Sequence, residues 1–141
     1  MISPMDTKHL QKLTLSKYYG GIVFLIASIA MSGSLYFSEV LHLYPCKLCW
    51  FQRILIYPLV ASGLYSVISQ QHVYGLVGFM SGSAILVSGY HSIIQRIGAE
   101  GCSGTCSVIQ YTVGPLSIPN LSLIASILIF GITILSYKLP D

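Results

Sequence analysis

Four long stretches of this chain, residues 18–37, 54–69, 73–94 and 116–137, contain no Lys, Arg, Asp or Glu. Crossing a hydrocarbon core of about 30 Å takes about 20 mainly apolar residues in a helix, which satisfies its own backbone groups where no water can. Three of the stretches reach that length, and the second reaches it by extending back towards Cys49 with Arg53 at the interface. The sequence therefore predicts an all-α, integral membrane four-helix bundle, with helices at about 18–37, 50–69, 73–95 and 116–137 in one domain covering 1–141. Charged residues make up only 8% of the chain, too few to solvate a separate soluble domain. The seven Lys and Arg are scattered and form no stripe for phosphate contacts, which speaks against nucleic acid as a partner.

Local composition agrees with these spans. Tyr18, Tyr36, Trp50, Tyr74, Tyr90 and Tyr137 fall near the span ends, where aromatic rings prefer the headgroup boundary. Pro58 lies inside the second span, which a membrane helix tolerates when neighbours satisfy the freed carbonyl. Gly78 and Gly82 form a small-xxx-small pair in the third span, which permits close helix contact and suits a central position in the bundle. A cleaved signal peptide is the rival reading of the first span, since Lys8, Lys12 and Lys17 precede it, but 20 residues exceed a typical signal core.

The four cysteines form two local pairs, Cys46 and Cys49 in C-K-L-C and Cys102 and Cys106 in C-S-G-T-C. The first pair lies between spans one and two and the second between spans three and four. Two crossings separate those loops, so both pairs face the same side whichever way the protein inserts. Lys8, Lys12, Lys17 and Lys138 lie on the opposite side, against Lys47, Arg53 and Arg96 on the cysteine side. That four-to-three bias is small by itself, and it agrees with the redox argument that disulfides persist outside the cytoplasm; together they predict cytoplasmic termini and two extracytoplasmic cysteine-bearing loops.

Four cysteines permit three connectivities, and spacing alone does not choose among them. A bond closing C-x-x-C constrains the unfolded chain by about 2 kcal/mol, against about 4 kcal/mol for a link between Cys46 and Cys102. Local pairs are thus poor staples and good thiol-disulfide exchange sites, because a neighbouring cysteine resolves a mixed disulfide. The first pair should occupy or adjoin the first turn of helix two, whose N-terminus favours a thiolate, with Lys47 and Arg53 adding positive charge. Arg53, four residues after Cys49, shares its helical face and is placed to bind a carbonyl oxygen of a lipid-soluble acceptor or to snorkel. Around the second pair, Gly98, Gly101, Gly104, Gly114 and Pro115 predict a mobile segment. Two readings from other classes remain, a zinc site built from the four thiolates and a scaffold with two structural disulfides.

The stretch P-C-K-L-C-W-F-Q-R-I-L-I-Y-P resembles the disulfide-bond formation protein B (DsbB) family, bacterial membrane thiol oxidases. The likeness extends to four helices and to the order of the cysteine pairs, and only three residues separate Cys102 from Cys106, as in the shorter Gram-positive type called BdbC. The resemblance implies a bacterial plasma-membrane oxidoreductase that reoxidises an extracytoplasmic thioredoxin-fold thiol oxidase, DsbA-like or BdbD-like. Electrons then pass to a quinone, menaquinone or ubiquinone. By position, Cys49 matches the cysteine facing the quinone, Cys46 its disulfide partner and Arg53 the quinone-contacting arginine. Cys102 and Cys106 match the partner-facing pair. His91, near the outer end of helix three with Gln95 on the same face, is a further candidate for the quinone site or a histidine satisfied by a neighbour. No resident metal is expected.

Overall fold

The computed structural model describes residues 4–42, 46–71, 73–98 and 112–138, with the side chains of 4–16 and 113 left aside. Helix α1 runs Pro4–Leu35 and continues as a π-helical turn, Tyr36–Val40; α2 is Lys47–Ser69, α3 is Tyr74–Ile97 and α4 is Ile118–Lys138. Each carries a span long and apolar enough to cross a membrane, at Lys17–Val40, Lys47–Ser69, Tyr74–Ile97 and Ile118–Lys138. The chain is a multi-pass membrane four-helix bundle, as the uncharged stretches predict.

Helix α1 begins about four turns before its membrane-spanning part, whose candidate span is Lys17–Val40. Pro4 suits a first helical position, and the Lys, Gln and Leu that follow are strong helix formers, so the helix continues beyond the apolar span. At the other end of the chain, β1 (Thr112–Val113) and β2 (Leu116–Ser117) form a short antiparallel hairpin before α4, with Thr112 opposite Ser117. Gly114, at φ +64°, makes its turn with Pro115. Gly98, at φ +66°, ends α3 by donating its N–H to the Ile94 carbonyl at 2.9 Å. Both glycines thus supply left-handed backbone at a helix end and a hairpin turn, more specific tasks than the mobility that their composition predicts.

The helices form a ring in which α1 packs on α2, α2 on α3, α3 on α4 and α4 back on α1. Tyr19, Val23, Ala27, Leu59, Val77 and Ile129 make the buried apolar core. Much of the remaining interior is small and polar, including Ser62, Ser66, Ser81, Ser88, Ser126 and Thr133. Large apolar side chains such as Leu25, Ile29, Ile68, Phe79 and Leu86 point outwards. Lipid is as apolar as these side chains, so association depends on close contact and interhelical hydrogen bonds such as Tyr19 Oη with Thr133 Oγ1 at 3.0 Å.

The closest helix contact is not at Gly78 and Gly82. A Cβ at Gly82 would meet Phe130 at an ordinary 3.5 Å, because the Phe130 ring fills the groove across from it. A Cβ at Gly63 would instead lie 2.6 Å from the Phe24 backbone nitrogen, and one at Gly20 would lie 2.7 Å from Ser66 Cβ. Gly20 and Gly63 therefore bring α1 against α2 with no room for a side chain. Tyr19, Val23 and Ala27 sit in the core beside this contact, so the first span packs as a structural member of the bundle.

Candidate functional site

The C-x-x-C spacing has a direct backbone consequence. Cys46 is the N-cap of α2, with extended backbone at φ −71° and ψ 168°, and Cys49 is three residues into the helix. Cys46 Sγ accepts the Cys49 backbone N–H at 3.4 Å, a sulfur version of side-chain capping. The same geometry brings Cys46 Sγ within 2.9 Å of Cys49 Sγ. No disulfide joins them in this structure, and they are placed to form a bond of about 2.05 Å after a small side-chain motion.

The two sulfurs meet different surroundings. Cys46 is buried, and its Sγ lies 3.7 Å from His91 Nε2 on α3. The adjoining Cys49 thiol, and then burial, push the Cys46 thiol up to about 11, outweighing His91 and the Cys49 N–H, which act in the opposite direction. At this sulfur the expected thiolate activation by the helix start is overcome. Cys49 is only half-buried and faces a cavity of about 450 Å³ walled by α1, α2 and α4.

Arg53 lies one turn beyond Cys49 on the same cavity wall. Its Nε donates to Ser34 Oγ and its Nη2 to the Ser34 carbonyl, both at 2.9 Å. The guanidinium is thus attached to α1 at two points. The attachment falls where α1 changes to π-helical hydrogen bonding, and Ser38 Oγ donates to the adjacent Leu35 carbonyl at 3.2 Å. Such register changes make backbone carbonyls accessible to side-chain donors and often accompany sites. Lys47, expected to add charge to the pair, is exposed.

His91 is buried to 1% exposure and does not line the cavity. Its Nδ1 lies 3.4 Å from Gln52 Nε2, so Gln52 bridges His91 to the cavity wall. Gln52 escaped the sequence reading, although a glutamine in an apolar span three residues after Cys49 is itself a signal. Ser34 and Ser38 carried none, since serines are frequent in every span. Gln95, in contrast, leaves its Oε1 buried without a partner among the described residues. Ser92 Oγ donates to Asn120 Oδ1 at 2.8 Å, fixing α4 against α3 at this level.

Cys102 and Cys106 lie outside the described residues, and with them the four-thiolate zinc reading. The chain leaves α3 at Gly98 and returns at Thr112, at the bundle end that holds Cys46.

The family described as disulfide bond formation protein DsbB matches residues 16–136. A probable disulfide formation protein of Oceanobacillus iheyensis is 41% identical over 81% of this chain and 85% of its own length. Disulfide bond formation protein C of Bacillus subtilis is 43% identical over 77% of this chain and 88% of its own. The SPbeta prophage-derived disulfide bond formation protein B of the same species is 29% identical over 91% and 87%. No solved structure matches.

Proposed function

This chain belongs to the disulfide bond formation protein DsbB family, and from that premise we propose that it reoxidises an extracytoplasmic thioredoxin-fold thiol oxidase at the expense of a membrane quinone. The observation that carries the reading is the placement of Cys49, which shares one cavity wall with Arg53 while lying 2.9 Å from Cys46. The bacterial plasma membrane is its location, with both termini cytoplasmic, a reading supported by the lysine bias and by the oxidising chemistry assigned to the cysteine face.

Electrons enter at Cys102 and Cys106. A thiolate of the reduced partner attacks that disulfide, a second partner thiol resolves the mixed disulfide, and the partner leaves oxidised. The resulting dithiol reduces the Cys46–Cys49 disulfide by the same two-step exchange. Each exchange moves two electrons and two protons.

The cavity fits a quinone headgroup on the features of its walls. It is largely apolar, of the size that small-molecule sites show, and its few polar groups, Ser34, Ser38, Gln52, Arg53, Tyr57 and Ser122, lie among apolar side chains. Bound there, menaquinone or ubiquinone supplies a two-electron, two-proton acceptor. Arg53 uses two of its five N–H donors on Ser34, leaving others for a carbonyl oxygen. Ser34 holds the guanidinium in place, so little side-chain freedom is lost on binding. Cys49, at the helix start and facing the cavity, is the sulfur that delivers electrons. Cys46 closes the disulfide behind it, giving up its proton beside His91.

Quinone reduction in membranes supplied with a reduced thioredoxin-fold oxidase tests this reading. Wild type should turn over, and Cys49→Ser and Arg53→Ala should fall in that order of severity. Turnover by Cys49→Ser equal to wild type would sink the relay.

A further inference from the structure

We infer that the reduced Cys46–Cys49 pair and His91 form a redox-gated site for a thiophilic divalent metal ion such as Zn²⁺. Cys46 Sγ, Cys49 Sγ and a ring nitrogen of His91 all lie within 4.8 Å of one another. Two thiolates and one imidazole are a zinc ligand set, with a fourth position left for water or another donor. With zinc bonds of about 2.3 Å to sulfur and about 2.0 Å to nitrogen, tetrahedral ligands stand roughly 3.5–3.8 Å apart. Cys46 Sγ and His91 Nε2 already have that separation, at 3.7 Å. The sulfurs, at 2.9 Å, reach it by moving apart by about 1 Å, which cysteine side-chain rotation allows.

The surroundings favour a bound ion over a chance cluster. Cys46 is 6% exposed and His91 1% exposed, so these ligands are largely desolvated before the metal arrives. Gln52 lies behind the imidazole, 3.4 Å from Nδ1. Its amide can turn to accept an Nδ1 proton, the supporting bond that a metal-ligating histidine uses to hold Nε2 free. Cys49 lines the cavity, which gives water or another donor a route to a fourth position.

This site differs from a four-thiolate centre because it needs His91 and neither Cys102 nor Cys106. It exists in one redox state only. When Cys46 and Cys49 are joined by a disulfide, no thiolate remains to bind. When they are reduced, the metal displaces both thiol protons, which go to solvent, and no electron moves. The consequence for turnover rests on the proposed function: a metal captured by the dithiol holds the protein reduced and stops electron flow until the metal is withdrawn.

The test uses full-length protein in detergent or nanodiscs, with Cys102→Ser and Cys106→Ser introduced to isolate the first pair, and needs neither quinone nor partner. Reduced protein should bind one Zn²⁺ per chain and release about two protons. Co²⁺ should give the absorption of a tetrahedral thiolate site. Oxidised protein should bind none. Gln52→Leu should weaken binding about 10-fold to 100-fold, the range found for outer-shell partners, and His91→Ala at least as much. Monodisperse elution and helical circular dichroism identify variants that retain the fold, and Cys46→Ser gives a second ligand deletion that nearly preserves volume. Binding that persists in the oxidised protein, or that is unchanged in both folded ligand variants, overturns the inference, as does failure of the reduced protein to bind. Electron transfer that fails in the protein with all four cysteines, while its reduced form binds Zn²⁺, overturns the relay alone.

Discussion

The two halves of the α1–α2 contact are built oppositely. Towards one end, Gly20 and Gly63 remove the space between the helices, leaving 2.6–2.7 Å for an added carbon. Towards the other, Arg53 reaches across to Ser34, and a cavity of about 450 Å³ opens between the same helices and α4. The glycine end gains its attraction from close backbone contact. The cavity end forgoes that contact and is held by charge-assisted hydrogen bonds. Stability and access to a ligand are thus allotted to different levels of one helix pair.

Substitutions should separate these levels. The largest effect is expected from Cys49→Ser, which should abolish quinone-dependent oxidation of a thioredoxin-fold substrate while leaving the thermal transition in detergent near wild type. A comparable loss of helical stability would show that the cavity end also carries the fold. Gly63→Leu should do the reverse, because its side chain must enter the Phe24 backbone. Overpacking typically costs about 1–3 kcal/mol, to be read from the unfolding midpoint, and this contact has backbone on the opposing side. Arg53→Ala touches both properties, since it removes the tie to α1 as well as the donor facing the cavity. Charge-assisted hydrogen bonds contribute about 1.5–3 kcal/mol, so the apparent quinone affinity should fall roughly tenfold to a hundredfold. Arg53→Lys should restore little, because an ammonium does not reproduce the two-point bond to Ser34.

A smaller effect separates the sulfurs themselves. The Cys46 thiol is raised from an ordinary 9.0 to about 11, so the folded dithiol holds its proton more tightly than the unfolded chain. Its contribution to stability is present below about pH 9 and lost as pH rises towards 11. Alkylation of Cys46 in reduced protein, followed by peptide mass spectrometry, should accelerate over the same window. A plateau near neutral pH would contradict the upward push that the Cys49 thiol, and then burial, give this sulfur. Lys47→Ala should change stability by less than about 0.5 kcal/mol and leave turnover nearly unaltered, as its side chain is exposed. A large loss of rate there would shift the electrostatic control of the pair from Arg53 to Lys47.

Much of this organisation was legible in the residues. The membrane class followed from missing charges, and the common side of the two cysteine loops followed from counting crossings. The position of Cys46 and Cys49 at a helix start followed from spacing, because an N-cap and the residue three positions later are neighbours through local backbone geometry alone. Arg53 on the face of Cys49 followed in the same way. Gly78 and Gly82 do not mark the tightest contact, since a small-xxx-small pattern states where a close approach is permitted and not whether the neighbour presents backbone or a phenyl ring. Gly20 and Gly63 lie on different helices and formed no pattern within either.

The sequence by itself determined the spans, their number and the local geometry of the Cys46–Cys49 pair, all of which depend on solvent partition and contacts between near neighbours in the chain. Tertiary structure decided that Arg53 is tied to Ser34, that His91 on α3 reaches Cys46, that Gln52 joins His91 to the cavity, and that the cavity lies between α1, α2 and α4. These meetings depend on how each helix is rotated about its axis. In α1 and α2 the apolar residues are spread around the helix, so neither marks the face that turns inwards. Lipid accepts any apolar face equally, and only the packed neighbours select one.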